Sequence, residues 1–473
     1  MKSLKKNFVY NITYQILILI IPFITTPYVS RVLGVKGVGT YSYTYSIVYY
    51  FMICAMIGFN NYGNRSIAKV RDDTQKLSKT FKEIHKLQIY TSFIMIFLYF
   101  IYCLFICKEY LIIAYLQSLH VISCMFDINW FFFGIEEFRL TVTRNTFIRI
   151  LALILIFAFV KEANDVWKYT LILSSTTLLS QLLLWPFVKK KIEKVKERLE
   201  IKKHIIPCLK LFLPVIAVAI YKVMDKTMIG LLSTVDEVGL YENAEKVVNI
   251  PNAIITALGT VMLPRMTNMY ANGKDEESLE LIKKSIKLIM FLAFPMMFGL
   301  IAISKDFSVI FFGINFIKSG IVIIYLSITI IFLSFGNVIR TQYLIPKERD
   351  KEYIISAFLG ALVNLIFNLI FIPKYASIGA CIGTIAAEFI VVFYQVFKIR
   401  NELPIMDYLK SIIEFFIKST IMFILVLLIG ILISNQVLKI FVQIVIGFAI
   451  YISLNIKYVK GTIDIKKFLK KIK

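Results

Sequence analysis

Long apolar stretches recur from one end of the chain to the other, separated by short polar segments that are mostly basic. A helix rises 1.5 Å per residue, so about 20 apolar residues cross the hydrocarbon of a bilayer. On that ruler the pattern predicts fourteen spans. The first six are near residues 8–30, 40–62, 87–107, 110–133, 145–161 and 167–188. The other eight are near 207–231, 237–263, 285–304, 320–345, 353–373, 376–397, 411–434 and 438–456. The expected fold class is an all-α polytopic membrane protein. Most of the 54 Lys and Arg fall in the N-tail, the even-numbered connections and the C-tail. Basic connections stay in the cytoplasm, which predicts a cytoplasmic-membrane protein with both termini inside. The first run follows the basic Met1–Lys6 and exceeds a signal-peptide core, so it reads as a span.

Composition agrees. The chain is 58% hydrophobic, against about 45–50% for soluble proteins. The net charge of +24 could suggest a nucleic-acid partner, but its placement in the connections makes it an orientation signal that meets anionic lipid headgroups. The six cysteines lie in or beside apolar runs without metal-ligand spacing. No phosphate-loop, H-E-x-x-H or C-x-x-C motif occurs. No cofactor, metal site or enzymatic activity is expected, and the longest outer connection, Lys305 to Ser319, is too short for an external active site.

The basic connection Lys189–His204 separates two sets of six spans, and Ile192, Val195 and Leu199 on one face suit an amphipathic helix at the interface. Three regions follow: residues 1–204 with linker 189–204, residues 205–400, and residues 401–473 with two additional helices and a basic tail. The two sets look like a parallel repeat. Val38-Gly39-Thr40-Tyr41 returns as Val238-Gly239-Leu240-Tyr241, and Arg65 returns as Arg265. In that register Thr25, Thr26, Ser42 and Ser46 align with Asp225, Lys226, Glu242 and Lys246, so one half is charged where the other carries hydroxyls.

Those charges are the candidate chemistry. Lys222, Asp225 and Lys226 share a helix face in span seven, while Glu242, Glu245 and Lys246 sit in span eight. An ionised group at the bilayer centre costs roughly 2.5–3.5 kcal/mol on insertion scales, so these six need partners or water. Two readings stand open: a structural salt-bridge cluster pinning two helices, and a hydrated cavity that meets a substrate or a coupling ion. Asp127, within span four and without a cation near it in sequence, and Glu388 in span twelve also need partners. Trp130 and the Phe run beside it suit an interfacial belt. Asn364, Asn368, Gly379 and Gly383 suit helix–helix packing and hydrogen bonds, and His120 suits packing. Arg31 closes span one, either snorkelling or adding charge at a cavity mouth.

Several of these segments together resemble bacterial polysaccharide biosynthesis flippases of the Wzx type, in the multidrug/oligosaccharidyl-lipid/polysaccharide transporter superfamily. They are Pro22, Pro27 and the run from Arg31 to Tyr41; Asp127 to Glu137; Asp225 to Gly230 with Gly239-Leu240-Tyr241; and Asn364 to Pro373 with Ile378-Gly379-Ala380. The resemblance implies two six-helix lobes around a central cavity, plus two C-terminal helices. It implies alternating access that moves undecaprenyl-diphosphate-linked oligosaccharide for surface polysaccharide such as O-antigen or capsule. It makes Arg31, Lys222, Lys226 and Lys246 the candidate substrate-binding residues. The departure is the mixture of signs: Asp127, Asp225, Glu242, Glu245 and Glu388 become candidates for charge pairing or ion coupling. The partners expected are the lipid-linked oligosaccharide, membrane lipids, an H+ or Na+ gradient, and other polysaccharide assembly proteins. The alternative is a cation-coupled multidrug exporter of the same superfamily.

Overall fold

The computed structural model describes the backbone of residues 2–463 and the side chains of residues 21–461 except 213–215, 217–218 and 220–222. Among the described residues there is no strand. The helices are α1 (Lys2–Met56), α2 (Phe59–Val70), α3 (Thr74–Phe105), α4 (Leu111–Phe126), α5 (Asn129–Gly134), α6 (Phe138–Phe159), α7 (Val166–Leu182), α8 (Trp185–Lys189) and α9 (Ile205–Leu232). They continue with α10 (Val235–Ala271), α11 (Asp275–Phe312), α12 (Ile317–Ser327), α13 (Thr329–Ile339), α14 (Asp350–Tyr375), α15 (Ser377–Ile399), α16 (Ile405–Ile431), α17 (Gln436–Leu454) and α18 (Ile456–Ile463). The chain forms two compact units, Met1–Glu242 and Asn243–Lys473, so the division falls inside α10.

Twelve segments of the described residues are long and apolar enough to cross a membrane, so the expected count of fourteen is not reproduced. The expected second span lies within Ile21–Val70, while the side chains of residues 8–20 of the expected first span and of 213–215, 217–218 and 220–222 of the expected seventh lie outside the described residues. α1 is broken at Gly34 (φ 68°, ψ −178°). A side chain there would be strained, and glycine is not. In the second unit α11 runs on to Phe312. The expected outer connection from Lys305 therefore shrinks to Gly313, at φ 108°, and a 3₁₀ turn over Ile314–Phe316.

In the first unit α1 packs against α3, α4, α6 and α9. A buried cluster joins Phe59 and Ile67 of α2, Phe81 and Ile84 of α3, and Trp130, Phe131 and Phe132 of α5. This corrects the expectation of an interfacial belt: Trp130, Phe131 and Phe132 are fully buried, and only Phe133 is exposed. The indole finds its acceptor far away in sequence, with Trp130 Nε1 donating to Gln88 Oε1 at 3.0 Å. Gln88 Nε2 in turn donates to the carbonyls of Cys124 and Asp127 at 2.6 and 2.8 Å, at the break between α4 and α5. Gly63 gives the indole room, since a Cβ there would lie 2.6 Å from the ring.

In the second unit α14 and α15 form a close hairpin. A Cβ at Gly379 would meet the Phe371 carbonyl oxygen at 2.3 Å, and one at Gly383 would meet Asn368 Oδ1 at 2.2 Å. Asn368 Nδ2 donates to Asn364 Oδ1 at 3.1 Å. Small residues let the backbones approach, and the amides then bond within the contact.

Linker residues 190–200 are not helical, which corrects the expected interfacial helix. α3 supplies better partners than an amphipathic helix would have. The Glu193 N–H donates to Ser78 Oγ at 2.9 Å, Lys82 donates to the Glu193 carbonyl at 2.7 Å, and Lys79 pairs with Glu197. The centre is Glu83, 1% exposed. It accepts from the Glu200 N–H at 2.8 Å, pairs with Lys203 at 3.0 Å, and lies 2.9 Å from His204 Nε2. The other ring nitrogen of His204 is 2.6 Å from the Tyr62 hydroxyl. Burial works against the Lys203 ammonium, yet the Glu83 and Glu200 carboxylates hold its pKa above the ordinary value. Removing one partner of a buried ion cluster costs about 3–5 kcal/mol. Glu83→Ala therefore releases the strap, and limited trypsinolysis read by mass spectrometry should cut between Lys189 and Lys203 at least about tenfold faster, the factor for 1.4 kcal/mol. Equal cutting rates would mean that Glu83 does not hold the linker.

Candidate functional site

α9 ends at Ser233 and α10 begins at Val235, so the two helices form a tight hairpin. The Glu237 N–H donates to Thr234 Oγ1 in the turn at 3.4 Å, and Asp236 and Glu237 occupy the first turn of α10, where acids complement the helix dipole. Counting back from the turn along α9 and forward along α10 brings two pairs face to face. The Tyr241 hydroxyl donates to Asp225 Oδ2 at 2.7 Å, and Lys226 Nζ lies 2.9 Å from Glu242 Oε2. Each pair is 16 residues apart in sequence, and counted from the turn the two lie at about the same depth, side by side across the hairpin. Asp225 is buried, while the Lys226 and Glu242 side chains each keep 16% of their exposure. A half-shielded ion pair that retains access can change partners, and a fully enclosed one cannot.

The hairpin docks on α1. Thr227 Oγ1 lies 2.8 Å from Ser46 Oγ and 3.5 Å from the Tyr50 hydroxyl. Tyr43 covers Gly230, where a Cβ would lie 2.1 Å from the ring. Nearer the turn, the repeated segments meet each other. A Cβ at Gly39 would stand 1.8 Å from the Val235 carbonyl oxygen, and one at Gly239 would stand 2.3 Å from the Val35 carbonyl oxygen. Each contact becomes the other under the 200-residue shift read in the sequence. It is a self-complementary contact of the kind a two-fold relation produces, and only hydrogen fits at either glycine.

The remaining candidates lie elsewhere. Arg31 is exposed on α1, before the Gly34 break. The side chain of Lys222 lies outside the described residues. Glu245 and Lys246 are half-buried on α10 in the second unit. Glu388 is buried on α15, also in the second unit. Asp127 belongs to a different cluster. Its Oδ1 accepts from the Asn129 N–H at 3.0 Å and Asn129 Nδ2 at 2.6 Å, holding the start of α5. Asn129 Oδ1 accepts from Arg144 at 2.8 Å, and Arg144 also donates to the Ser180 carbonyl at 3.0 Å. Asp127 thus has a cation one hydrogen-bond relay away, contrary to the sequence expectation, because Arg144 is buried within the bundle. Sequence reasoning also missed the partners of the hairpin on α1: Tyr50 and Ser46 carry no charge, and only their position across from Thr227 marks them.

The model of the polysaccharide biosynthesis protein family matches residues 4–270, and that of the lipid II flippase family matches residues 146–452. A protein of Escherichia coli strain K12 described as a "Putative O-antigen transporter" is 22% identical over 84% of this chain and 97% of its own length. Among solved structures, a lipid II flippase in an inward closed conformation covers 94% of this chain and 99% of its own, at 20% identity and a TM-score of 0.70. An inward-facing multidrug transporter covers 83% of this chain and 98% of its own, at 12% identity and a TM-score of 0.58. At those identities the two structures establish the fold alone. The family models cover more than half of the chain each, and the chain belongs to the polysaccharide biosynthesis protein family.

Proposed function

We propose that the protein is a flippase that moves undecaprenyl-diphosphate-linked oligosaccharide repeat units across the cytoplasmic membrane by alternating access, for surface polysaccharide assembly, with both termini in the cytoplasm. The observation that carries the reading is the accessible Lys226–Glu242 pair on an apolar hairpin, in a chain of this family. A diphosphate does not cross hydrocarbon unaided, and lysine is a point-charge phosphate binder. Arg31, Lys222 and Lys246 are assigned with Lys226 to the diphosphate. Two unit charges about 4 Å apart attract by about 4 kcal/mol at an effective dielectric of 20, so Lys226 leaves Glu242 only as a stronger anion arrives. A diphosphate carries more charge than one carboxylate and is such an anion. The released Glu242 then takes up H+ or pairs with Na+, which links the substrate to an ion gradient. Asp225 and Glu245 serve the same charge balance, and Asp127, in its cluster with Asn129 and Arg144, and Glu388 are assigned as charge-pair or coupling groups.

The moving parts proposed are the six-helix lobes 1–204 and 205–400, with 401–473 as an addition. The Gly39–Gly239 contact is the closed side of the pathway, and it parts when the lobes rock. A multidrug exporter for cations fits less well: a lysine ammonium already occupies the hairpin carboxylate, and it would repel a cationic drug.

Two outcomes are expected in cells that depend on this protein. Lys226→Met/Glu242→Gln removes both charges together, leaving neither unpaired. It should reach the membrane at wild-type level while surface polysaccharide falls at least about tenfold, which is 1.4 kcal/mol, and the lipid-linked intermediate accumulates. Normal polysaccharide with this variant would overturn the site. Gly39→Ala should open the closed side. Labelling of Ser42→Cys by an impermeant maleimide should then rise several-fold, whereas Gly299→Ala, whose Cβ meets nothing within 4 Å, should leave it unchanged. Equal labelling in the two backgrounds would mean that the glycine contact is not a gate.

A further inference from the structure

The hairpin accounts for the charged part of a lipid-linked glycan and leaves the sugar without a seat. Tyr41, Tyr45 and Tyr49 follow one another at intervals of four along α1, so they line one face of the helix. Their rings form a ladder: Tyr41 and Tyr45 stack at 5.8 Å between centroids, and Tyr45 and Tyr49 follow at 6.3 Å. Tyr169 of α7 closes on Tyr41 edge to face at 4.9 Å. All four tyrosines are half-buried, as are Tyr43 and Ile47 on the same stretch, whereas Ser42, Thr44, Ser46 and Val48 are buried.

Behind the rings lies hydrogen-bonding capacity that the protein does not use. His120 of α4, 3% exposed, meets Tyr45 edge to face at 5.2 Å. Neither of its ring nitrogens has a hydrogen-bond partner among the described residues. Gln117, nearly one turn away, donates to the Tyr41 carbonyl at 3.2 Å and leaves its own Oε1 unpartnered. Buried polar atoms without partners carry a desolvation penalty that a bound ligand can remove. Rings with half-open faces beside unpartnered polar atoms match a hexose. Its C–H face lies on the electron-rich ring face, while its hydroxyls donate and accept at the rim. The ladder adjoins the charge pair, because Ser46 and Tyr50 on the same two turns of α1 hold Thr227, the residue after Lys226.

We propose that Tyr41, Tyr45, Tyr49 and Tyr169, with His120 and Gln117 behind them, form the subsite for a sugar ring of the lipid-linked oligosaccharide, next to the diphosphate site at Lys226. This rests on the flippase reading and deepens it. The test compares two probes on the purified full chain: a short-chain polyprenyl diphosphate, and the same lipid carrying a disaccharide. The wild-type protein should bind the glycosylated lipid about tenfold more tightly than the bare one, a difference of about 1.4 kcal/mol. Tyr45→Leu and Tyr49→Leu should lose that ratio while keeping the affinity for the bare lipid, and Tyr45→Trp, which keeps an aromatic face, should retain it. Equal wild-type binding of the two lipids would overturn the subsite and leave the flippase reading standing, without reliance on any variant. A ratio unchanged in both Leu variants would also overturn it. Binding of neither lipid would overturn the subsite and the flippase reading together.

Discussion

A charge within an apolar helix has to be answered from close by, and the short turn between α9 and α10 provides the answer. Because Ser233 and Thr234 bring the chain back at once, Asp225 meets Tyr241 and Lys226 meets Glu242 across the hairpin. One pair is buried, and the other is an ion pair that keeps access. The buried pair ties the two helices together, and the accessible one is the pair proposed to exchange. Docking of this hairpin on α1 then follows from hydroxyl pairs and from glycines too close for any side chain. Removing the charges would leave a hairpin that still packs but has nothing to exchange.

The glycine contact also gives the internal repeat a physical meaning. Val35 and Gly39 of α1 meet Val235 and Gly239 of α10 reciprocally, so two copies of one motif serve as each other's partner. Such a contact is strong while the backbones touch and is lost completely once they separate, which suits a gate with two positions. The asymmetry of the repeat is equally useful: Ser46 carries a hydroxyl where the other copy has Lys246, and that hydroxyl holds Thr227 beside the ion pair without adding a competing charge.

Much of this was legible in the sequence, for identifiable reasons. Hydropathy alone marks most of the spans, because a membrane helix must satisfy its backbone internally and cover itself with apolar side chains. The charged hairpin stood out because charge is rare there. Helix ends were less legible: α10 continues to Ala271 and α11 to Phe312, beyond the apolar runs that define a span. The largest misreadings concern partners far apart in the chain. Trp130 looked interfacial until Gln88, 42 residues earlier, supplied its acceptor. The linker looked like an amphipathic helix until Ser78, Lys82 and Glu83 supplied bonds to its backbone. Asp127 looked isolated until Asn129 carried it to Arg144. No periodicity encodes such pairings, since each depends on which helices become neighbours.

The central claim is that this chain carries a lipid-linked glycan between leaflets. The most direct measurement is in liposomes containing the purified protein and a fluorescent polyprenyl-diphosphate oligosaccharide. Its exposure to an impermeant quencher is followed with and without H+ or Na+ gradients. The account predicts that the lipid confined to one leaflet becomes accessible on the other only when the protein is present, and faster under one of the gradients. An unmoved glycolipid under every gradient, together with gradient-driven accumulation of a cationic dye, would contradict it.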